Sequence, residues 1–230
     1  FAFGAPDAFV IKVNSAGSYQ WGSPYGGTSN DEARGLAVDN SGDVYIVGQY
    51  NDHFPLRIKI RGSDGNVMWD NSAATGSSSL GSKIGMDVIV LSTNEVVFTS
   101  LYSGSKIFDP PSGAAYTSNG SNDVIILKYS SAGTLLASGS YGSIQDDAVV
   151  EMTRNSGDSI YLVGILGGMP IDYRMNGGSS MPYTPVSGTE GYLLAINSSI
   201  QNLWVVHAQP NGTTEGRSVD FCPSTKELLF

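Results

Sequence analysis

Two histidines, His53 and His207, carry the side chains best suited to moving a proton near neutral pH. A histidine can also hold zinc or activate a serine, but both roles need partners at set spacings. Neither histidine has a Cys or a second His at metal-ligand spacing, and no Gly-x-Ser-x-Gly occurs. A Ser-His-Asp set would have to be assembled from distant positions. Carboxylate pairs of the kind that cleave glycosidic bonds stand at Asp31-Glu32 and Asp146-Asp147. Both pairs occupy the same loop of equivalent stretches of chain, so a structural role in a repeat is the simpler expectation. Asp39, Asp43, Asp64, Asp146, Asp147 and Asp158 fall at turns. Calcium wants clustered carboxylate and carbonyl oxygens. No Asp-x-Asp-x-Asp-Gly loop is present, so these aspartates read as turn residues, with calcium as the alternative. No nucleotide-binding glycine loop of the Gly-x-x-x-x-Gly-Lys-Ser/Thr type occurs, and no cofactor is expected.

Composition narrows the partners. A net charge of −9 over 230 residues disfavours nucleic acid and anionic membrane surfaces, where basic faces supply most of the affinity. No apolar run approaches the ~18 residues needed to span a bilayer as a helix. Cys222 is the single cysteine, so no disulfide forms within the chain. The sequence opens on Phe1 without a leader pattern, which reads as a processed start or a piece of something longer. Three Asn-x-Ser/Thr sequons, at Asn119, Asn197 and Asn211, are candidate N-glycosylation sites if the protein is secreted.

These residues sit on a repeat. Gly35-Leu36-Ala37-Val38-Asp39, Asn40-Ser41-Gly42-Asp43 and Val44-Tyr45-Ile46-Val47-Gly48 read as two strands around a tight turn. The object returns at 88–99, 149–164 and 219–230. A second hairpin type opens at Asp7-Ala8-Phe9-Val10-Ile11-Lys12-Val13 and returns near 57, 123 and 191. The first and third units match at a constant offset of 116 residues: Gly17 to Gly133, Tyr25-Gly26 to Tyr141-Gly142, Val44 to Ile160. Four strands per unit, repeated every ~50–70 residues without helical periodicity, predict an all-β fold: a β-propeller of four-stranded antiparallel blades. The expected division is a half-blade at 1–27, blades at 28–75, 76–142 and 143–210, and a half-blade at 211–230. That is about four blades' worth of strands, expected to belong to a larger propeller. The alternative is a small ring in which strand 226–230 pairs with strand 7–14.

Trp21, Trp69 and Trp204 recur at one slot of the fourth strand, with Ala137 in the third unit. Blade-to-blade packing is expected, against the alternative of a row of sugar-stacking rings. Lys12, Lys59 and Lys128 also recur and read as solvated side chains near acidic neighbours.

The stretches 30–48 and 119–133 resemble the bacterial β-propeller repeat, also called the seven-bladed β-propeller repeat, and the likeness covers nearly the whole chain. The second unit departs most, with Arg57-Ile58 and Asn94-Glu95 in place of the usual residues. The resemblance implies a secreted or cell-surface protein with adhesive or scaffolding work, and no catalytic residues come with it. The expected function is therefore an extracellular structural or adhesive module that contacts other protein subunits or cell-surface glycans. The Gly/Ser/Pro-rich insertions 102–122 and 166–189 are the expected partner-facing surfaces, with Tyr116, Tyr173 and Tyr183 as candidate contacts. A carbohydrate-binding propeller is the second reading and a secreted hydrolase the third.

Overall fold

The structure is a computed structural model. It describes residues 5–52, 54–72, 74–75, 84–109, 113, 115–168, 171–173, 175–176, 178, 180–184, 188–208 and 213–229. Among these every regular element is a strand. β1 (Ala8–Val13) and β2 (Tyr19–Tyr25) form an antiparallel pair. β3 (Glu32–Val38), β4 (Val44–Tyr50), β5 (Phe54–Ile60) and β6 (Val67–Asp70) make the first four-stranded sheet, in that order. β7 (Ala74–Thr75) is followed by β8 (Ile84–Val90) and β9 (Val96–Tyr102), then by β10 (Ser105–Phe108) and β11 (Ala115–Thr117) of the first insertion. With β12 (Asp123–Tyr129) and β13 (Leu135–Tyr141), strands β8 and β9 form the second sheet, ordered β8-β9-β12-β13. β14 (Ala148–Arg154), β15 (Ile160–Leu166), β18 (Glu190–Ile196) and β19 (Asn202–His207) make the third. Between them the second insertion forms the hairpin of β16 (Ile171–Asp172) and β17 (Pro182–Tyr183). β20 (Asp220–Cys222) and β21 (Glu227–Leu229) end the described chain as a two-stranded pair.

The sheets are the blades of a β-propeller. Their first strands, β3, β8, β14 and β20, pack side by side in that order, so the blades fan out from a common inner edge. Each blade lies between two others, so its middle strands bury both faces. This explains why Val124–Tyr129 and Gly191–Ile196 are nearly unbroken apolar runs, buried along their whole length. One cluster, with Phe98, Ile125 and Tyr129 against Tyr45 and Val47, joins the first sheet to the second. Another, with Val97, Ile126 and Tyr141 against Met152, Leu162 and Leu194, joins the second to the third.

The units share irregularities as well as ladders. A β-bulge interrupts the inner strand of each four-stranded sheet at the same place, between Ala33 and Gly35, Gly85 and Asp87, and Val149 and Glu151. The inner turn needs a left-handed residue, supplied by Gly42 (φ +83°), Asn94 (φ +61°) and Asp158 (φ +58°) in successive blades. Asn94 thus takes the place of Gly42, and the departing second unit keeps the hairpin geometry of its neighbours. β1–β2 and β20–β21 remain separate two-stranded sheets, and no ladder among the described residues joins β21 to β1. The ring alternative, which needs that ladder, is not what the structure forms.

Candidate functional site

The recurring lysines and tryptophans meet across blade boundaries. Lys12 and Trp21 lie opposite each other on neighbouring strands, as do Lys59 and Trp69. Both members of each pair donate to one backbone carbonyl in the outer turn of the next blade. Lys12 Nζ reaches Gly62 O at 2.6 Å and Trp21 Nε1 reaches it at 3.0 Å. Lys59 Nζ and Trp69 Nε1 reach Ser131 O at 3.5 and 3.1 Å. In the second sheet Ala137 holds the tryptophan slot, and Lys128 alone donates to Ser198 O, at 2.9 Å. In the third sheet Ala195 replaces the lysine and faces Trp204.

Two expectations need correction here. Lys59 and Lys128 are buried, not solvated. Lys59 pairs with Asp39 at 3.1 Å and Asp43 at 3.2 Å, and Lys128 pairs with Glu95 at 2.7 Å. Each lysine ties the inner turn of its own blade to the outer turn of the next. Burial pulls the Lys59 pKa down, but the Tyr45 hydroxyl and the two aspartates outweigh it and raise the value to about 12. Trp21 is buried and Trp69 half-buried, as packing requires, whereas Trp204 is 36 % exposed. Beyond it stands the short β20–β21 pair, which presents no outer turn.

The aspartates brace loops. Asp31 accepts from Gly27 N at 2.8 Å and Asn51 N at 2.7 Å. Asp147, 116 residues on, accepts from Ser143 N and Gly167 N at the same two offsets. Asp39 holds its turn by accepting from the amides of Ser41 and Asp43. Asp158 works across blades, accepting from Ser92 N at 3.0 Å and Ser92 Oγ at 2.5 Å and pairing with Arg154. Among the described residues no group of three or more His, Cys, Asp or Glu side chains is placed to hold a metal.

Sequence reasoning missed two carboxylates at the bulges. Asp87 Oδ2 accepts from Met152 N at 2.6 Å on the inner strand of the following blade, and Glu151 Oε2 accepts from Val219 N at 2.9 Å, just before β20. Burial raises the Asp87 pKa to about 6, with Glu151 adding to it and the amides of Met152 and Val88 opposing. Arg57 was also missed. It is fully buried, donates from Nε and Nη2 to Asn71 O, and lies 5.7 Å over the Phe108 ring. The signal was present: by register Arg57 occupies the position held by Val10, Ile126 and Leu193 in the other units.

The second insertion adds two tyrosines to a cluster of titratable side chains from the second and third sheets. Tyr173 is fully buried beside Tyr141, Tyr192 and His207, and Tyr183 stacks on His207 with centroids 3.4 Å apart. Tyr141 and Tyr192 share a hydroxyl–hydroxyl hydrogen bond, and Tyr183 donates to Glu190 at 2.5 Å. Neither ring nitrogen of His207 has a hydrogen-bond partner among the described residues. Burial lowers its pKa to about 4, against a weaker upward pull from Glu190. Its low pKa keeps the imidazole neutral at pH 7, stacked on Tyr183 and packed against Tyr173. His53 lies outside the described residues.

Two of the three candidate contact residues, Tyr173 and Tyr183, therefore meet at one place, and Tyr116 lies elsewhere. Its hydroxyl donates to Ser138 Oγ at 2.8 Å, and its ring packs on Phe108 in the first insertion. Of the sequons, Asn119 is exposed, with its Nδ2 donating to Gly142 O. Asn197 is half-buried, donates to Gln201 Oε1, and accepts the amides of Ser199 and Gln201. Asn211 lies outside the described residues. Cys222 is free, 3.2 Å from Ser224 Oγ, and hydrogen bonds from Ser224 and Thr225 lower its pKa to about 6.

No family model matches this chain, and no curated protein matches it. Among solved structures it is similar to virginiamycin B lyase from Staphylococcus aureus, at 13 % identity over 83 % of this chain and 89 % of that one, with a TM-score of 0.23. A TM-score that low bears on neither fold nor chemistry. The propeller assignment rests on the sheets themselves.

Proposed function

We propose that this chain is a structural and adhesive β-propeller module of a cell surface or extracellular assembly, working through contacts with other proteins. The same reading places it with the bacterial β-propeller repeat. One observation carries it. The polar residues that recur from unit to unit, the Lys, Trp and Asp positions, are engaged in holding blades and loops together. A scaffold conserves its chemistry for its own joints in this way and varies its insertions. A glycan-binding reading needs rings open to solvent. Trp21 and Tyr173 are buried and His207 covers one face of Tyr183, which leaves Trp204 as the exposed tryptophan.

The test combines location with activity. Protease added to intact source cells should remove the protein, and the purified chain should bind those cells saturably. It should leave panels of chromogenic glycosides and esters unturned. Substrate turnover, or full protection from protease until the cells are lysed, overturns the reading. Retention on a glycan array in place of protein-coated surfaces would favour the carbohydrate alternative.

A further inference from the structure

The boundary between the first and second sheets encloses two polar groups that bond to nothing among the described residues, Arg57 Nη1 and Tyr129 Oη. Both side chains are fully buried, at 0 % exposure. Arg57 stands on β5 of the first sheet and reaches over Phe108 in the insertion that follows β9. Tyr129 ends β12 of the second sheet and packs on Trp69 of the first, with ring centroids 6.1 Å apart. Tyr129 and Phe108 also belong to the apolar cluster that joins the two sheets. The two unpartnered groups therefore open on the same joint.

Arg57 is fixed on one side and bare on the other. Its Nε and Nη2 donate to Asn71 O at 3.1 and 2.7 Å, and its backbone amide donates to Ser72 Oγ at 3.1 Å. Neither acceptor is charged. A guanidinium cannot shed its proton to escape burial, and a buried charge without a counter-charge is strongly destabilising. Among the described residues no carboxylate forms an ion pair with Arg57. Asp109, whose charge acts on Tyr129, is half-buried and stays outside ion-pair distance of the guanidinium. Tyr129 is not the counter-ion either. Burial raises its pKa, with the Arg57 charge opposing, so the group remains a neutral phenol with a hydrogen to donate. Two donors and one uncompensated positive charge lack a single negative acceptor.

We infer that a small monovalent anion of the halide class is bound at this boundary, held by Arg57 Nη1 with the Tyr129 hydroxyl as second donor. One negative charge balances the one guanidinium, whereas a multiply charged ion would reverse the imbalance. Both groups are closed off from solvent, so the ion must shed its water. A halide does that at lower cost than phosphate or sulfate. The bound ion would serve as an internal pin between two blades, whatever the module contacts outside.

The experiment follows thermal unfolding of the full chain in sodium chloride and in sodium gluconate at matched ionic strength, so that screening is equal. The midpoint should be several degrees higher in chloride, should climb with the logarithm of its concentration, and should respond to bromide as well. Tyr129→Phe keeps the ring and deletes the donor. It should weaken the apparent halide affinity about tenfold or more. Arg57→Met deletes the charge and should abolish the halide dependence. Crystals soaked in bromide should show an anomalous peak beside Arg57 Nη1. Three outcomes overturn the inference: equal midpoints in chloride and gluconate, a halide dependence that Tyr129→Phe leaves unchanged, or a water without anomalous signal beside Nη1. Should Arg57→Met fail to fold, Tyr129→Phe and the anomalous map decide between the outcomes by themselves. Loss of cell binding would sink the adhesive reading and leave the anion site standing.

Discussion

Lys59 shows what a recurring residue of this chain does. Its ammonium is the shared counter-charge of Asp39 and Asp43, and all but a few per cent of the Lys59 and Asp39 side chains is shielded from water. Removing one member of a buried ion pair strands the other, which costs more than the pair ever contributed. Lys59→Ala should therefore lower unfolding free energy by about 3 kcal/mol, read as a drop in denaturant midpoint at unchanged slope. Adding Asp39→Asn should recover part of the loss; strict additivity would show that the two do not couple. Asp87 makes a pH prediction. Its folded pKa of about 6 lies above the ordinary carboxyl value. Its contribution to stability is thus fully present below the unfolded value of ~3.9 and is lost as pH rises through about 6. His207 runs the other way. Its folded pKa of about 4 lies below the unfolded value, so its contribution is present above ~6.5 and lost as pH falls towards 4. Side-chain NMR titration separates the two: an Asp87 midpoint near the ordinary carboxyl value would contradict the burial argument. Asp87→Asn should flatten its share of the stability–pH curve.

The turns and insertions set how far the sequence could be read. Turn chemistry was legible because it is local: Asp39, Asp31 and Asp147 bond amides within a few residues, and the offset of 116 recurs in their hydrogen bonds. Inter-blade chemistry was not, since the partner of Lys128 is a carbonyl 70 residues away and no local pattern announces it. Tyr173 was misjudged for the same reason. An insertion rich in Gly, Ser and Pro looks like surface, yet this one returns to fill the boundary where Ala137 leaves the tryptophan slot empty. Met175 belongs to the cluster against which Ala137 packs, and a Cβ on Gly139 would meet it at 2.9 Å. Met175→Ala should consequently cost about 2–5 kcal/mol, as for other buried methionines, although it lies in an insertion. The inner turn gives a second prediction. Asn94 holds a left-handed conformation, and its Oδ1 accepts from Asn40 N at 3.4 Å in the preceding blade. Asn94→Ala should cost about 1–2 kcal/mol and Asn94→Gly distinctly less, because glycine removes the steric penalty. Equal thermal shifts for the two would mean that the hydrogen bond and not the conformation dominates.

Across the whole molecule the joints are uneven, and that unevenness should govern how the protein opens. The second and third sheets are linked by Asp87 to Met152 N, Arg154 to Val90 O, Ser92 to Asp158 and Lys128 to Ser198 O. They also share the largest cluster of buried apolar side chains. Elements with such shared support open together and late, while elements with few buried contacts open locally. β20 and β21 are three residues each, and β1–β2 is a pair with one face bare. Amide exchange in dilute solution should therefore be fastest over 8–25 and 219–229 and slowest over 123–129, 160–166 and 190–196. Asp158→Ala removes links that cross the boundary between the second and third sheets. It should speed exchange in 84–102 and 148–166 together, although the substitution sits in the third sheet alone. If only 148–166 responds, the sheets open independently and the carboxylate braces do not couple neighbouring blades.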